Sequence, residues 1–164
     1  MISISREFPV NEPGETVVNR SQLWRGLEMK ARNATLFVRR MQSCVVIEDG
    51  ELEFTRDIVI RDEPHREHIT FTPEEKVRFE RIGGNTRGYI TNEIHEDTAG
   101  NLVLRFTFNL ERTDLEPGGA EERTYFAKVD AEYEDAVRTT LETTRQMVRD
   151  EAGETDASHT GAAK

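Results

Sequence analysis

The chain has 164 residues, enough for one domain whose core needs neither a disulfide nor a metal. Hydrophobic residues make up 35% and charged residues 33%, and a formal net charge of -10 without a clustered Lys/Arg surface excludes a partner held by its phosphate backbone. Cys44 is the single cysteine, so no internal disulfide forms and a reducing cytoplasm is expected; Met1 to Phe8 lack the apolar run of a secretion signal, and no stretch approaches the ~20 apolar residues of a membrane helix.

Ile2, Ile4 and Phe8 alternate up to Pro9, which predicts an opening strand over residues 1–10. Pro13 and Gly14 turn the chain. Asn19 and Gln22 have capping-box spacing and Val18 with Leu23 can form a hydrophobic staple, so a helix is expected from Arg20. Its apolar face is Leu23, Trp24, Leu27 and Ala31, and Asn33 stops it. Gly26, inside that helix, either admits a close neighbour or is a tolerated weakness of about 1 kcal/mol. A short second helix is expected to hold Leu36, Phe37 and Val38.

From Ser43 the texture is that of strands. Residues 43–48 and 51–61 flank Asp49-Gly50, a two-residue hairpin signal. Strands follow near 67–71, at 76–82 and at 87–95, with Pro64 read as a turn and Gly83-Gly84-Asn85 as another. Over 102–111, Leu102, Leu104, Phe106, Phe108 and Leu110 share one face, while Val103, Arg105, Thr107, Asn109 and Glu111 share the other. The longest helical pattern runs from Ala120 to about Glu151, with Phe126, Val129, Tyr133, Ala136, Val137, Leu141, Met147 and Val148 as its stripe. Such a helix spans roughly 45 Å and needs a broad apolar partner. The expected architecture is α+β: a curved antiparallel sheet of seven strands wrapped around the C-terminal helix, with two short helices after the first strand, in one domain over 1–152. Residues 153–164 lack apolar period and are expected to form a disordered tail.

The words Leu-Trp-Arg-Gly-Leu at 23–27, Lys30-Ala31-Arg32-Asn33, Phe37-Val38 and Ser43-Cys44 resemble the opening of the AtaL-like group, within the START-like (SRPBCC, Bet v 1-like) superfamily of helix-grip proteins. The resemblance covers the chain to about Glu151. It implies the same element order and adds a deep cavity between the sheet and the long helix. It supplies no agreed catalytic residues; the wider superfamily includes lipid carriers, polyketide cyclases and cochaperones, and fold alone does not choose among them.

Cavity-lining candidates follow from the inward phases. If Leu52, Phe54, Ile58 and Ile60 face inward, so does Arg56, which then needs a ligand anion, a structural carboxylate or a place at the rim. Asn92 lies in phase with Ile90 and Ile94 and either bonds a neighbouring strand or meets ligand. Tyr133, Val137 and Leu141 come from the long helix, Phe106 and Phe108 from the clearest strand, and Trp24 and Leu27 from the first helix, where Trp24 serves equally as core. Thr140 and Thr144 can bond back to their own helix. His65 and His68 point to opposite faces, so no metal is expected, nor any other cofactor. Glu93 and His95 share the solvent face, and no nucleophile or phosphate-loop motif is present.

The expected function is binding of a small hydrophobic or aromatic ligand in that cavity. One alternative is a polyketide-cyclase-like tailoring enzyme in which Arg56, Asn92 and Tyr133 polarise a carbonyl. The other is a module that binds a protein partner through its outer sheet face or an acidic surface. An exposed edge strand leaves both monomer and homodimer open.

Overall fold

The computed structural model describes residues 1–162, with side chains as far as residue 153. Seven strands form one antiparallel sheet: β1 (Ile2–Pro9), β2 (Met41–Glu48), β3 (Glu53–Ile60), β4 (Glu63–Thr72), β5 (Lys76–Gly83), β6 (Thr86–Glu96) and β7 (Leu102–Arg112). Helix α1 (Arg20–Arg32) follows β1, and α2 (Ala120–Ala162) follows β7. The sheet order is β1-β7-β6-β5-β4-β3-β2, so only β1 has crossed to the far edge. This is the expected α+β architecture. No helix among the described residues is long and apolar enough to cross a membrane.

The alternation expected for β7 holds: Leu104, Phe106, Phe108 and Leu110 are buried, and Phe108 stacks on Phe126 of α2 at 6.1 Å between centroids. Helix α1 begins as its capping box requires, with Gln22 N–H donating to Asn19 Oδ1 and Asn19 N–H to Gln22 Oε1. Val18 and Leu23 are both buried, and Asn33 closes the helix. Thr140 and Thr144 each donate to the carbonyl one turn back.

Several expectations are corrected. The second helix is a single 3-10 turn, Ala34–Leu36. Asp49-Gly50 is not a two-residue hairpin: β2 ends at Glu48 and β3 starts at Glu53, because Arg32 bonds Asp49 Oδ1 and the Gly50 carbonyl and draws the loop toward α1. Leu52 therefore lies outside the strand and is 53% exposed. Pro64 sits within β4, paired with Val59, and the tight turn is Arg61-Asp62, both at positive φ. Helix α2 continues to Ala162 rather than ending near Glu151. The tail expected over 153–164 falls on positions whose side chains, from residue 154, lie outside the described residues.

Gly26 marks a close approach. An added Cβ would fall on Thr144 Oγ1 and lie 3.2 Å from Thr144 Cγ2, where α1 crosses α2. Alanine gains about 1 kcal/mol of helix propensity there, against about 1–3 kcal/mol for overpacking. Gly26→Ala is expected to lower stability by about 1 kcal/mol in urea denaturation. Combined with Thr144→Ala, which removes the two closest atoms and leaves only Cβ at 3.3 Å, the same change becomes neutral or stabilising. A higher midpoint for Gly26→Ala alone would refute the contact.

Candidate functional site

Three neighbouring strands place charge on the inner face of the sheet. Arg56 of β3 pairs in register with Glu67 of β4, and Glu67 with Arg81 of β5, so the three side chains form one row. Arg56 Nε and Nη2 donate to Glu67 Oε1 at 2.9 and 2.7 Å, and Arg81 Nε donates to Oε2 at 2.7 Å. All three are buried. Burial alone would raise the Glu67 pKa, but the two guanidinium groups outweigh it and hold the carboxyl at about 2. Arg56 spends Nη1 on the Ala31 carbonyl at 2.6 Å and lies 3.8 Å from Cys44 Sγ. Arg81 keeps Nη1 and Nη2 without a hydrogen-bond partner among the described residues.

This row lines a partly open cavity of about 40 Å³ between the sheet and α2. Ile58, Ile60, Ile90 and Phe106 form its apolar wall, Tyr133 and Ala136 its helical wall, and Lys30 reaches it from α1. Lys30 is 6% exposed; its Nζ donates to Asn92 Oδ1 at 2.7 Å and sits 4.9 Å from the Phe106 centroid and 5.5 Å from that of Phe79. Burial, reinforced by Arg56, lowers its pKa to about 7. Tyr133, with ring centroids 5.1 Å from both Phe106 and Phe108, has its pKa raised by burial to about 12. One carboxylate thus faces two guanidinium groups and an amine. The interior carries an excess of positive charge.

Among the expected lining residues, Arg56, Phe106 and Tyr133 do line the cavity. Phe108 and Val137, with Phe106 and Tyr133, border a smaller hollow of about 10 Å³ toward β1. Asn92 touches the cavity only through Lys30. Trp24, Leu27, Phe54 and Leu141 belong to the packed core instead: Trp24 meets Phe71 edge-on at 5.8 Å, and Phe54 lies 5.6 Å from the same ring. Arg56 is in the ion pair with Glu67 as well as at the cavity wall, so its fork is already filled. His65 is buried at the adjacent inward position of β4, where desolvation and Arg81 lower its pKa to about 4, while His68 faces the other way. Among the described residues no group of His, Cys, Asp and Glu could hold a metal ion.

From the sequence, Glu67 is only a metal-ligand candidate beside His65 and His68, and Lys30 and Arg81 have no place in the cavity, yet each carries a signal. Lys30 lies three residues after Leu27 on the apolar stripe, Glu67 is in phase with Ile69 and Phe71, and Arg81 is in phase with Val77 and Phe79. A surface groove of about 440 Å³, lined by Arg39, Arg40, Ala131, Glu132 and Asp135, shares Val38 with the cavity.

A curved antiparallel sheet closed by a long C-terminal helix, with the hollow between them, is the helix-grip fold of the SRPBCC/Bet v 1-like proteins. Within that class the chain belongs to the family described as acetylaranotin biosynthesis cluster protein L, AtaL, whose model matches residues 4–151. No curated protein matches it in sequence. Among solved structures it is similar to the Zhui aromatase/cyclase from a Streptomyces species, with TM-score 0.68 and 11% identity over 90% of this chain and 95% of that one. It is also similar to the protein TTHA0849 from Thermus thermophilus, with TM-score 0.66 and 14% identity over 87% and 95% of the two chains. The di-domain aromatase/cyclase StfQ of the steffimycin pathway matches with TM-score 0.64 and 13% identity over 89% of this chain and 51% of its own. At these identities the likeness shows the fold.

Proposed function

We propose that the chain binds a small, mostly apolar molecule carrying a carbonyl or carboxylate oxygen, seated between the sheet and α2 with that oxygen on Arg81. The observation that carries this reading is the Arg81 fork: a guanidinium at the cavity wall whose Nε is held by Glu67 and whose two terminal nitrogens have no hydrogen-bond partner among the described residues. Such donors fit an oxygen bearing negative charge, and the surplus of cations over Glu67 favours the same partner. A cavity of about 40 Å³ is well below the ~300–1,000 Å³ of a drug-sized ligand site. Binding of anything larger than a few heavy atoms therefore enlarges the hollow, by movement of the 3-10 turn and α2 beside the groove.

A second reading is a cyclase-like catalyst. It draws on the aromatase/cyclase names of two structural neighbours and on Arg81 and Tyr133 lining one cavity from opposite walls, where they would stabilise a developing enolate. Arg56 contributes to that chemistry only by holding Glu67.

The test is titration of a panel of aromatic and aliphatic carboxylates and of their amide or alcohol counterparts, followed by calorimetry or native mass spectrometry. Carboxylates are expected to bind preferentially, and Arg81→Met to weaken them about 10- to 100-fold, the value of a charged hydrogen bond. Equal affinity of wild type and Arg81→Met for every ligand found, with both proteins folded, would sink the reading.

A further inference from the structure

The amine of Lys30 is enclosed at the cavity wall. It comes from α1 into a cavity already supplied with two guanidinium groups, and it makes one hydrogen bond, to Asn92, whose own Nδ2 is buried without a partner among the described residues. It lies between the Phe79 and Phe106 rings, and Arg56 covers the same Phe79 ring at 5.0 Å. The charged or titratable groups around it are Arg56 of β3, Glu67 of β4, Arg81 of β5 and Tyr133 of α2, all lining the same cavity. A desolvated amine beside another cation is the environment in which lysine becomes a nucleophile, because its charged form is disfavoured.

We propose that Lys30 is a covalent carbonyl-capturing residue: its amine condenses with a small ketone or aldehyde that carries a neighbouring oxyanion, forming an imine while Arg81 holds the oxyanion. The step balances without a further reagent. The Nζ lone pair attacks the carbonyl carbon, the C–N bond forms and the carbonyl electron pair moves to oxygen. That oxygen takes a proton from the new ammonium to give the carbinolamine. The C–O bond then breaks, oxygen leaves as water with a second proton from nitrogen, and C=N remains; water reverses the sequence. The inference rests on the reading of the cavity given above and specifies the chemical class of its ligand.

Several features make the site testable. The lysines of the chain are Lys30, Lys76, Lys128 and Lys164, so labelling maps to few positions. With the Lys30 amine about half neutral near pH 7, its reaction rate is expected to rise about tenfold per pH unit below that point and to level above it. An exposed lysine of ordinary pKa keeps rising to about pH 10.

The probe is pyruvate with sodium cyanoborohydride, added to the full chain and read by intact mass and peptide mapping. Lactate, which keeps the carboxylate and lacks the ketone, serves as the non-condensing control, and binding of both is followed by chemical-shift perturbation. The expected result is one reduced adduct on Lys30, with a rate that levels near pH 7. It is lost in Lys30→Met and in Lys30→Arg, the latter keeping a cation at the position, and circular dichroism shows both variants folded. Binding of pyruvate and lactate without an adduct on Lys30 overturns the amine step and leaves the oxyanion reading standing. Neither binding nor adduct overturns both. Adducts spread equally over the lysines, or undiminished in Lys30→Arg, also overturn the proposal.

Discussion

Glu67→Gln is expected to lower stability by about 3–5 kcal/mol, because it leaves Arg56 and Arg81 buried on one wall with no carboxylate between them. The amide can still accept from one guanidinium, but it supplies no charge. The same pair of arginines sets an acid dependence. Glu67 is held at about 2 in the fold against an ordinary value of 4.5, so its contribution is fully present above about pH 4.5 and is lost as pH falls toward about 2. Wild type is therefore expected to lose stability across that window more steeply than Glu67→Gln. Guanidinium denaturation at neutral pH and at pH 3 measures both quantities. A variant within about 1 kcal/mol of wild type at neutral pH would show that the row does not hold the sheet together.

Gly88→Ala is expected to be comparably damaging, for a reason of backbone rather than charge. Gly88 has φ +115, and an added Cβ would meet the Asn109 carbonyl oxygen and lie 3.1 Å from Leu110 Cα on the adjoining strand. Neither group can swing aside, since both belong to the β6–β7 ladder. Backbone strain of about 1–3 kcal/mol adds to about 1–3 kcal/mol of overpacking, roughly 2–6 kcal/mol together. Gly88 is also the register partner of Arg81, so the displacement disturbs the charged row. Gly100→Ala is the control: φ is +82, but nothing lies within 4 Å of the added atom, and only the strain of about 1 kcal/mol is expected. Urea midpoints of the two variants decide the matter, and an equal loss in both would mean that the approach of Asn109 is unimportant.

The fold was legible because its long elements obey one period each. Leu104 to Leu110 alternate and the stripe from Phe126 to Leu141 repeats at helical spacing, so burial alone assigns both elements. The site was legible one residue at a time. Inward phase brought out Arg56, and that it needs a partner, but the partner depends on register, and register depends on the turn. Arg61-Asp62 adopts positive φ without the Asn or Gly that marks such a turn, while Pro64 offers a stronger and misleading signal two residues on. With the turn at Arg61-Asp62, Arg56 falls opposite Glu67; with a turn at Pro64, it cannot. Lys30 was hidden differently. A lysine at the end of an amphipathic helix ordinarily reaches solvent, and only the arrival of β6 with Asn92 encloses this one.

The groove beside the cavity is bordered by ion pairs of another kind from the row inside. Arg39 lies 3.5 Å from Asp135 at its exposed rim, and Arg61 meets Glu132 where the β3–β4 turn reaches α2. Charges at such sites are screened over a Debye length of ≈ 8 Å at physiological ionic strength, whereas a buried network is shielded from mobile ions. The protein thus joins a salt-responsive rim to a salt-indifferent interior. Ionic strength acts on the pairs at the surface, and far less on the row inside.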